Sequence, residues 1–421
     1  MKKKKKVRIK WNRVIIALFI LVSIVFIPIK LFFKNTTECK EEVYMTNFVN
    51  KSLGDLKTYA KEYDLKLEIT YDYDDNIEKD YVVSQSILEN NEIKKGDILR
   101  VVVSLGELDL NKLKKDNINE LGEVPIMMYH NIIDKPSSET NYTGGNVDRD
   151  GYNRTTEAFR EDLEMYYQKG YRMIRLIDYV RGNIDTAYGK SPIVLTFDDG
   201  NDNNIKVTGL DSDGNIIIDP SSAVGILEEF KKKYPDYNVT ATFFITSSIF
   251  NQKEYNEKIL KWLVEHGYDV GNHTVGHNNL NSTTITKTQE VIAKVYKQLD
   301  EIIPNKYVKI LALPYGNPTS KKHENYPYVI KGTYEDYTYE TEASLRVGWK
   351  PEVSPFDKDF DKTYIKRCRA YDNNGKDFDI EMVFNMLEKN RYISDGNSNT
   401  IVVPDSYIDK VIETDKKIIK Y

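Results

Sequence analysis

The sequence predicts a parallel β/α fold for most of the chain, behind a small α+β unit and one membrane-spanning helix. Three observations carry this expectation. Residues 14–33 are almost wholly apolar. From Val124 onward, short apolar runs alternate with stretches of helical periodicity, the pattern of strands joined by crossover helices. Two strings, Thr196-Phe197-Asp198-Asp199-Gly200 and His273-Thr274-Val275-Gly276-His277, place carboxylates and imidazoles directly after predicted strands, where parallel β/α folds build their sites.

Taken in order, residues 1–13 are basic, with Lys2 to Lys6, Arg8, Lys10 and Arg13. Val14 to Phe33 is apolar except for Ser23 and Lys30. At helical rise it reaches about 30 Å, the thickness of a bilayer core. The basic residues ahead of it put the N-terminus in the cytoplasm. A cleaved secretory signal, the alternative, has a shorter core and small residues at its cleavage site; Pro28 to Phe33 offers none. The expectation is a single-pass anchor in the cell membrane, with the remainder extracellular. The first 34 residues hold ten of the 60 Lys and Arg residues and none of the 65 Asp and Glu. The rest is therefore strongly acidic, which argues against nucleic acid as a partner. Two cysteines, Cys39 and Cys368, exclude a disulfide scaffold and a cysteine-based zinc site.

Residues 44–106 read as a small unit. Ser52 can cap a helix with Asp55 at its third position, and Leu56, Tyr59, Ala60 and Tyr63 form its apolar face. Leu65, Leu67, Ile69 and Tyr71 alternate as a strand, and Tyr81-Val82-Val83 and Ile98 to Val103 give two more. With Val82-Val83-Ser84-Gln85-Ser86 and the turn Lys94-Lys95-Gly96-Asp97, this order resembles a PASTA domain. Asn50 and Ile87 stand where that family commonly has Gly and Pro. The resemblance implies a cell-wall-facing protein with a Gram-positive-type envelope; a spacer that binds nothing is the alternative. Residues 107–123 are polar and rich in Lys and Asn, and read as a linker.

The remaining unit, 124–412, carries the chemistry. Ile126 to Tyr129, Ile193 to Phe197 and Thr242 to Ile245 read as strands. Phe159, Leu163, Tyr166 and Tyr167 mark a helix behind Thr155-Thr156; Ala223, Leu227 and Phe230 mark a second, and Ile259, Trp262 and Leu263 a third. Asp211-Ser212-Asp213-Gly214 reads as a hairpin turn rather than a calcium loop, since no later acidic ligand follows at the right spacing. Asp199, His273 and His277 can supply one carboxylate and two imidazoles to a divalent metal, and neighbouring Asp198 is then free to act as a base. Only five histidines occur in the chain. Of the others, His266 falls at a predicted helix C-terminus and His323 in a polar loop.

The flanking text closely resembles the polysaccharide deacetylases, the NodB-homology family or carbohydrate esterase family 4. Leu195 to Gly200 resembles its first motif, Gly271 to His277 with Leu280 its second, and Leu313-Pro314-Tyr315-Gly316 its third. Ala241 to Ile245 resembles the intervening strand. The resemblance implies a distorted (β/α) barrel of the NodB-homology type and removal of N-acetyl groups from amino sugars in a polymer. It also implies one divalent metal ion, zinc by preference with cobalt or another ion as alternatives, and substrate contacts at Pro314 and Tyr315, the latter through its backbone N–H. Two positions depart from the family. Ala312 stands where an Arg usually positions the base. The late strand Thr400 to Val403 runs into Pro404-Asp405, without the usual acid histidine. Val124-Pro125-Ile126-Met127-Met128-Tyr129-His130 resembles the opening of the circularly permuted branch, in which this His130 does the work of the general acid. Arg367, in Ile365-Lys366-Arg367-Cys368-Arg369, is the expected replacement for the missing Arg, with Arg369 on the same face as an alternative. The expected substrate is peptidoglycan. Poly-N-acetylglucosamine exopolysaccharide is an alternative, and a non-catalytic glycan-binding protein with a degenerate barrel is another.

Overall fold

Ser52 starts the first described helix as its sequence context requires: its Oγ accepts the Asp55 N–H at 3.1 Å. Helix α1 (Leu53–Glu62) buries Leu53, Leu56 and Ala60 on a three-stranded sheet of β1 (Lys66–Asp72), β2 (Val82–Gln85) and β3 (Ile98–Ser104). The central β3 runs parallel to β1 and antiparallel to β2. The computed structural model describes residues 43–135, 152–348 and 350–421. The basic segment 1–13, the expected membrane span 14–33 and Cys39 lie outside the described residues. Among the described residues, no helix is long and apolar enough to cross a membrane.

Residues 107–123 differ from the polar linker expected of them. Asp109 caps a short helix, α2 (Leu110–Lys115), and Leu113, Ile118 and Leu121 of the segment are buried. Leu113 and Ile118 pack against Val402 and Ile419. Glu120 is buried, and its carboxyl accepts from the Val402 N–H (2.8 Å) and the Tyr392 hydroxyl (2.9 Å). A segment with so few apolar residues reads as solvated in sequence. Here a buried, fully hydrogen-bonded carboxyl and two apolar anchors hold it down.

The main sheet is parallel. Its strands are β4 (Ile126–Tyr129), β5 (Tyr171–Met173), β6 (Ser191–Phe197), β7 (Thr242–Ile245), β8 (Asp269–Asn272), β9 (Ile310–Ala312), β10 (Ala343–Leu345) and β11 (Cys368–Arg369). The order is β10–β9–β8–β7–β6–β4–β11, with β5 also on β6. The sheet curls into a half-barrel, and one parallel bridge, Leu345 to Ile365, links its two edges. Outside it pack α3 (Thr156–Gln168), α4 (Ala223–Lys233), α5 (Asn256–Glu265), α6 (Ile285–Ile302) and α7 (Ile380–Asn390). Thr155 caps α3 through the Ala158 N–H and Ser222 caps α4 through the Gly225 N–H.

The late strand β12 (Thr400–Val403) is not part of this sheet. It pairs in parallel with β13 (Lys417–Lys420), beyond the expected domain end at 412. The place beside β4 that a closing strand would take is filled by β11. A strand that never joins the half-barrel cannot carry a histidine into it, so the absence of one after Val403 follows from the topology.

Strand alternation sorts the sheet into two faces. Met127, Leu195, Phe243, Val270, Leu311 and Cys368 point outward into the core shared with the helices. Ile126, Val194, Phe244, Ile310, Leu345 and Ile365 point inward. Carrying the period of two forward puts His130, Asp198 and His273 on the inner side, directly after the C-terminal ends of their strands, and Arg367 on the same side, directly before β11. Gly271 makes this interior possible: a Cβ there would lie 2.6 Å from the Phe244 ring and 3.1 Å from the Ile310 carbonyl oxygen. Gly271→Ala is therefore expected to overpack the half-barrel and cost about 1–3 kcal/mol, read as a lower denaturant midpoint at constant slope. An unchanged midpoint would mean that the Phe244 ring has room to move.

Candidate active site

Register brings the functional residues together. Phe197 pairs with Tyr129 and Phe243, and Ile245 with Asn272. Asp198, His130 and His273 therefore leave neighbouring strands at the same level. Asp198 N–H donates to the Tyr129 carbonyl (3.0 Å) and His273 N–H to that of Ile245 (2.9 Å), so the ladder continues into the site.

Arg367 is completely buried and grips Asp198 with both ends of its fork. Nη1 donates to Oδ1 at 2.7 Å and Nη2 to Oδ2 at 2.6 Å. Nη1 also donates to Thr196 Oγ1 (3.2 Å), and Nε donates to the Arg346 carbonyl (3.2 Å). Arg369 instead lies over the Tyr371 ring, 4.9 Å from its centre. The choice that sequence left open between the two arginines thus falls on Arg367 as the partner of Asp198. Burial pushes the Asp198 carboxyl up, but the Arg367 guanidinium outweighs it and holds the group below the usual carboxylate range. It stays ionised.

His130 is buried against the same carboxylate, with Nε2 3.9 Å from Asp198 Oδ2. Its ring meets Tyr152 edge-on, and Nδ1 has no hydrogen-bond partner among the described residues. Burial lowers its pKa, against the pull of the Asp198 and Asp199 carboxylates.

Asp199, His273 and His277 form the group that can hold a metal: one ligand atom from each, all within 4.8 Å of one another. The donor set fits. His273 Nδ1 lies 2.8 Å from the Ala312 carbonyl, which makes Nδ1 the protonated nitrogen and leaves the Nε2 lone pair free. That Nε2 is buried without a hydrogen bond, 3.3 Å from Asp199 Oδ1; His277 Nε2 is 3.6 Å from the same oxygen. A buried acceptor with no donor is costly unless something else fills its lone pair. The backbone is also strained here. Asp199, Thr274, His277 and Tyr315 all have positive φ, at 73°, 63°, 51° and 59°, a region that costs side-chain-bearing residues of order 1–3 kcal/mol each.

Pro314 is buried and Tyr315 is largely exposed, its ring centre 4.5 Å from that of His277. The other two histidines lie elsewhere. His266 caps α5 and stacks on Trp262, and His323 accepts from the Asn325 N–H.

Asn203 and Asn204 are site residues that sequence reading missed. Asn204 is fully buried and donates to the His130 carbonyl at 2.6 Å, and Asn203 Oδ1 accepts the Ile132 N–H at 3.1 Å. One loop thus carries Asp198 and Asp199 and also clamps the strand end bearing His130. The available signal was the run Asn201-Asp202-Asn203-Asn204, which composition cannot separate from an ordinary solvated loop.

Residues 185–327 match the family model for polysaccharide deacetylase, and residues 43–105 match that for the PASTA domain. The putative polysaccharide deacetylase YxkH of Bacillus subtilis (strain 168) is 22% identical over 240 residues, covering 55% of this chain and 72% of that protein. Two solved structures are similar. The Streptococcus pyogenes deacetylase PplD, in complex with acetate, has a TM-score of 0.43 at 16% identity, covering 59% of this chain and 92% of its own. The putative polysaccharide deacetylase BA0330 from Bacillus anthracis has a TM-score of 0.40 at 17% identity, covering 59% and 65%. The two family-model matches place a polysaccharide deacetylase domain, matched over 185–327, behind a PASTA domain, matched over 43–105. The chain is an enzyme of the hydrolase class that acts on acetyl amides.

Arg367→Met should leave the Asp198 carboxylate buried and unpaired, at a cost of about 3–5 kcal/mol. The double variant Arg367→Met/Asp198→Asn should recover much of that loss. Denaturant unfolding of the three variants checks this; additive losses would mean that the pair is not coupled.

Proposed function

We propose that the chain is a membrane-anchored, extracellular, metal-dependent N-deacetylase of peptidoglycan. The observation that carries this reading is the convergence, at one end of the half-barrel, of an ionised buried carboxylate, a buried imidazole facing it and a three-residue metal group. Asp199, His273 and His277 are the ligands. One carboxylate and two imidazoles suit zinc, with cobalt an acceptable substitute. A divalent cation held there supplies a Lewis acid for the acetamide carbonyl and makes water a nucleophile near neutral pH.

The protein's own residues do the rest. Asp198, kept ionised and immobile by Arg367, takes a proton from the attacking water. The water oxygen adds to the carbonyl carbon, and the Tyr315 backbone N–H is the proposed donor to the developing oxyanion. His130, with Nε2 3.9 Å from Asp198, receives the proton that Asp198 took from the water and passes it to the sugar nitrogen as the C–N bond breaks. Acetate leaves, and a free amine remains on the glycan.

Two features favour peptidoglycan. The apolar segment 14–33 would tether the chain at the membrane, and the PASTA domain is of a kind that faces the cell wall. Poly-N-acetylglucosamine is the second reading, favoured by the strand carrying His130, which precedes the Asp198 strand in the chain. A glycan-binding protein without activity is disfavoured, because a buried Asp–Arg pair and strained ligand loops are costly to keep for binding alone.

The purified extracellular part should contain one metal per chain, and His273→Ala or His277→Ala should lower that stoichiometry. Unchanged metal content in both variants would overturn the ligand assignment.

His130→Ala should bind metal normally yet lose about 10²-fold or more in amide hydrolysis. An activated aryl acetate, whose leaving group needs little protonation, should suffer much less. Equal losses on both substrates would show that His130 is not the acid.

A further inference from the structure

The PASTA unit is hydrogen-bonded to the catalytic unit. Asn397 Nδ2 donates to Asp72 Oδ1 (2.9 Å), and the Tyr73 hydroxyl to Asp395 Oδ2 (3.3 Å). Beside these contacts lies a cleft of about 290 Å³, near the lower end of ordinary small-molecule sites and sufficient for one sugar ring. Tyr71 and Tyr73 line it from the PASTA side and Tyr188 from the catalytic side. Tyr188 is held rigidly: its hydroxyl donates to Asp116 Oδ2 at 2.8 Å, and Lys112 Nζ lies 4.1 Å from its ring centre. Gly396 completes the wall with φ +82°, where a Cβ would meet the Tyr188 backbone nitrogen at 3.0 Å.

The cleft is far from the chemistry. Tyr188 stands just before β6 begins, and Asp198 immediately after it ends. Seven residues of strand span about 23 Å, so the two sites lie at opposite ends of the sheet. An occupant of the cleft cannot be the sugar that reacts.

The lining selects a ligand class. Aromatic faces take the apolar face of a ring whose edges are polar. The charged residues, Lys79 and Lys112 against Asp80, Glu107 and Asp109, have both signs with a slight acidic excess, which suits a neutral hydroxylated ligand and opposes a polyanion. We propose that this cleft is a second glycan site, binding a neutral N-acetylated amino-sugar unit of the polymer while the catalytic end works elsewhere on it. The proposal rests on the reading of the chain as a glycan deacetylase.

Hydrogen exchange of the whole extracellular part, with and without N-acetylglucosamine hexamer, tests it directly. Protection is expected in segments 71–80 and 105–113 as well as at the catalytic strand ends. Tyr188→Ala should lower turnover of insoluble peptidoglycan at least fivefold while leaving turnover of a soluble N-acetylglucosamine tetramer unchanged. Tyr188→Phe, which keeps the ring, should behave as wild type. Absent protection at 71–80 and 105–113 under saturating hexamer, or wild-type peptidoglycan turnover by Tyr188→Ala, would overturn the second site. Failure of the wild-type protein to release acetate from the tetramer would instead count against the deacetylase reading, whatever the cleft binds.

Discussion

The buried pair between Arg367 and Asp198 is the interaction on which the rest of the site depends. Removing two charges from water is unfavourable by several kcal/mol per ion unless their partners are well placed. Here both carboxylate oxygens are taken by one guanidinium, which also donates to Thr196 and the Arg346 carbonyl. Thr196 in turn donates to the Met127 carbonyl at 2.8 Å. The charge is thus tied to three strands at once, and the geometry of Asp198 cannot drift without disturbing the sheet.

That network explains why the two edges of the half-barrel come together. Arg346 follows β10, at one edge, and Arg367 precedes β11, at the other. The Ile365 N–H donates to the Ser344 carbonyl and the Arg346 N–H to that of Ile365, both at 2.9 Å. A short backbone link therefore sets where Arg367 stands. The apolar inner face below it excludes water, which strengthens every electrostatic contact at the strand ends. Packing and chemistry meet near one boundary: Ile126, Val194, Phe244 and Ile310 fill the interior along the strands, and His130, Asp198 and His273 follow directly after the strand ends.

Much of this was legible in sequence, for physical reasons. Capping residues announced α1 and α3, because Ser52 and Thr155 can satisfy open helical N–H groups. The Asp-Gly turn at 211–214 does join two antiparallel strands, Val207–Leu210 and Ile216–Ile218. The residues able to hold a metal were visible because imidazoles are scarce in this chain and carboxylate-imidazole spacing is restrictive. Other features depended on tertiary context. Arg367 and Arg369 share a face by strand period, and only the closure at Ile365 separates them. Residues 107–123 look solvated until Glu120 is seen to take donors from Val402 and Tyr392. Thr400–Val403 has the composition of a barrel strand, yet pairs with Lys417–Lys420 because β11 already fills the position beside β4. Asn204 carries no local pattern at all; its role exists only because the loop after Asp199 folds back onto His130.

The central claim is that Asp198 acts as the base beside a metal it does not hold. Asp198→Asn measures this most directly, through metal content and acetate release from N-acetylglucosamine oligomers in the same preparation. The expected result is an unchanged metal stoichiometry with deacetylation reduced by about 10²–10⁴-fold. Near-normal acetate release from the metal-loaded variant would contradict the account, since another group would then be activating the water.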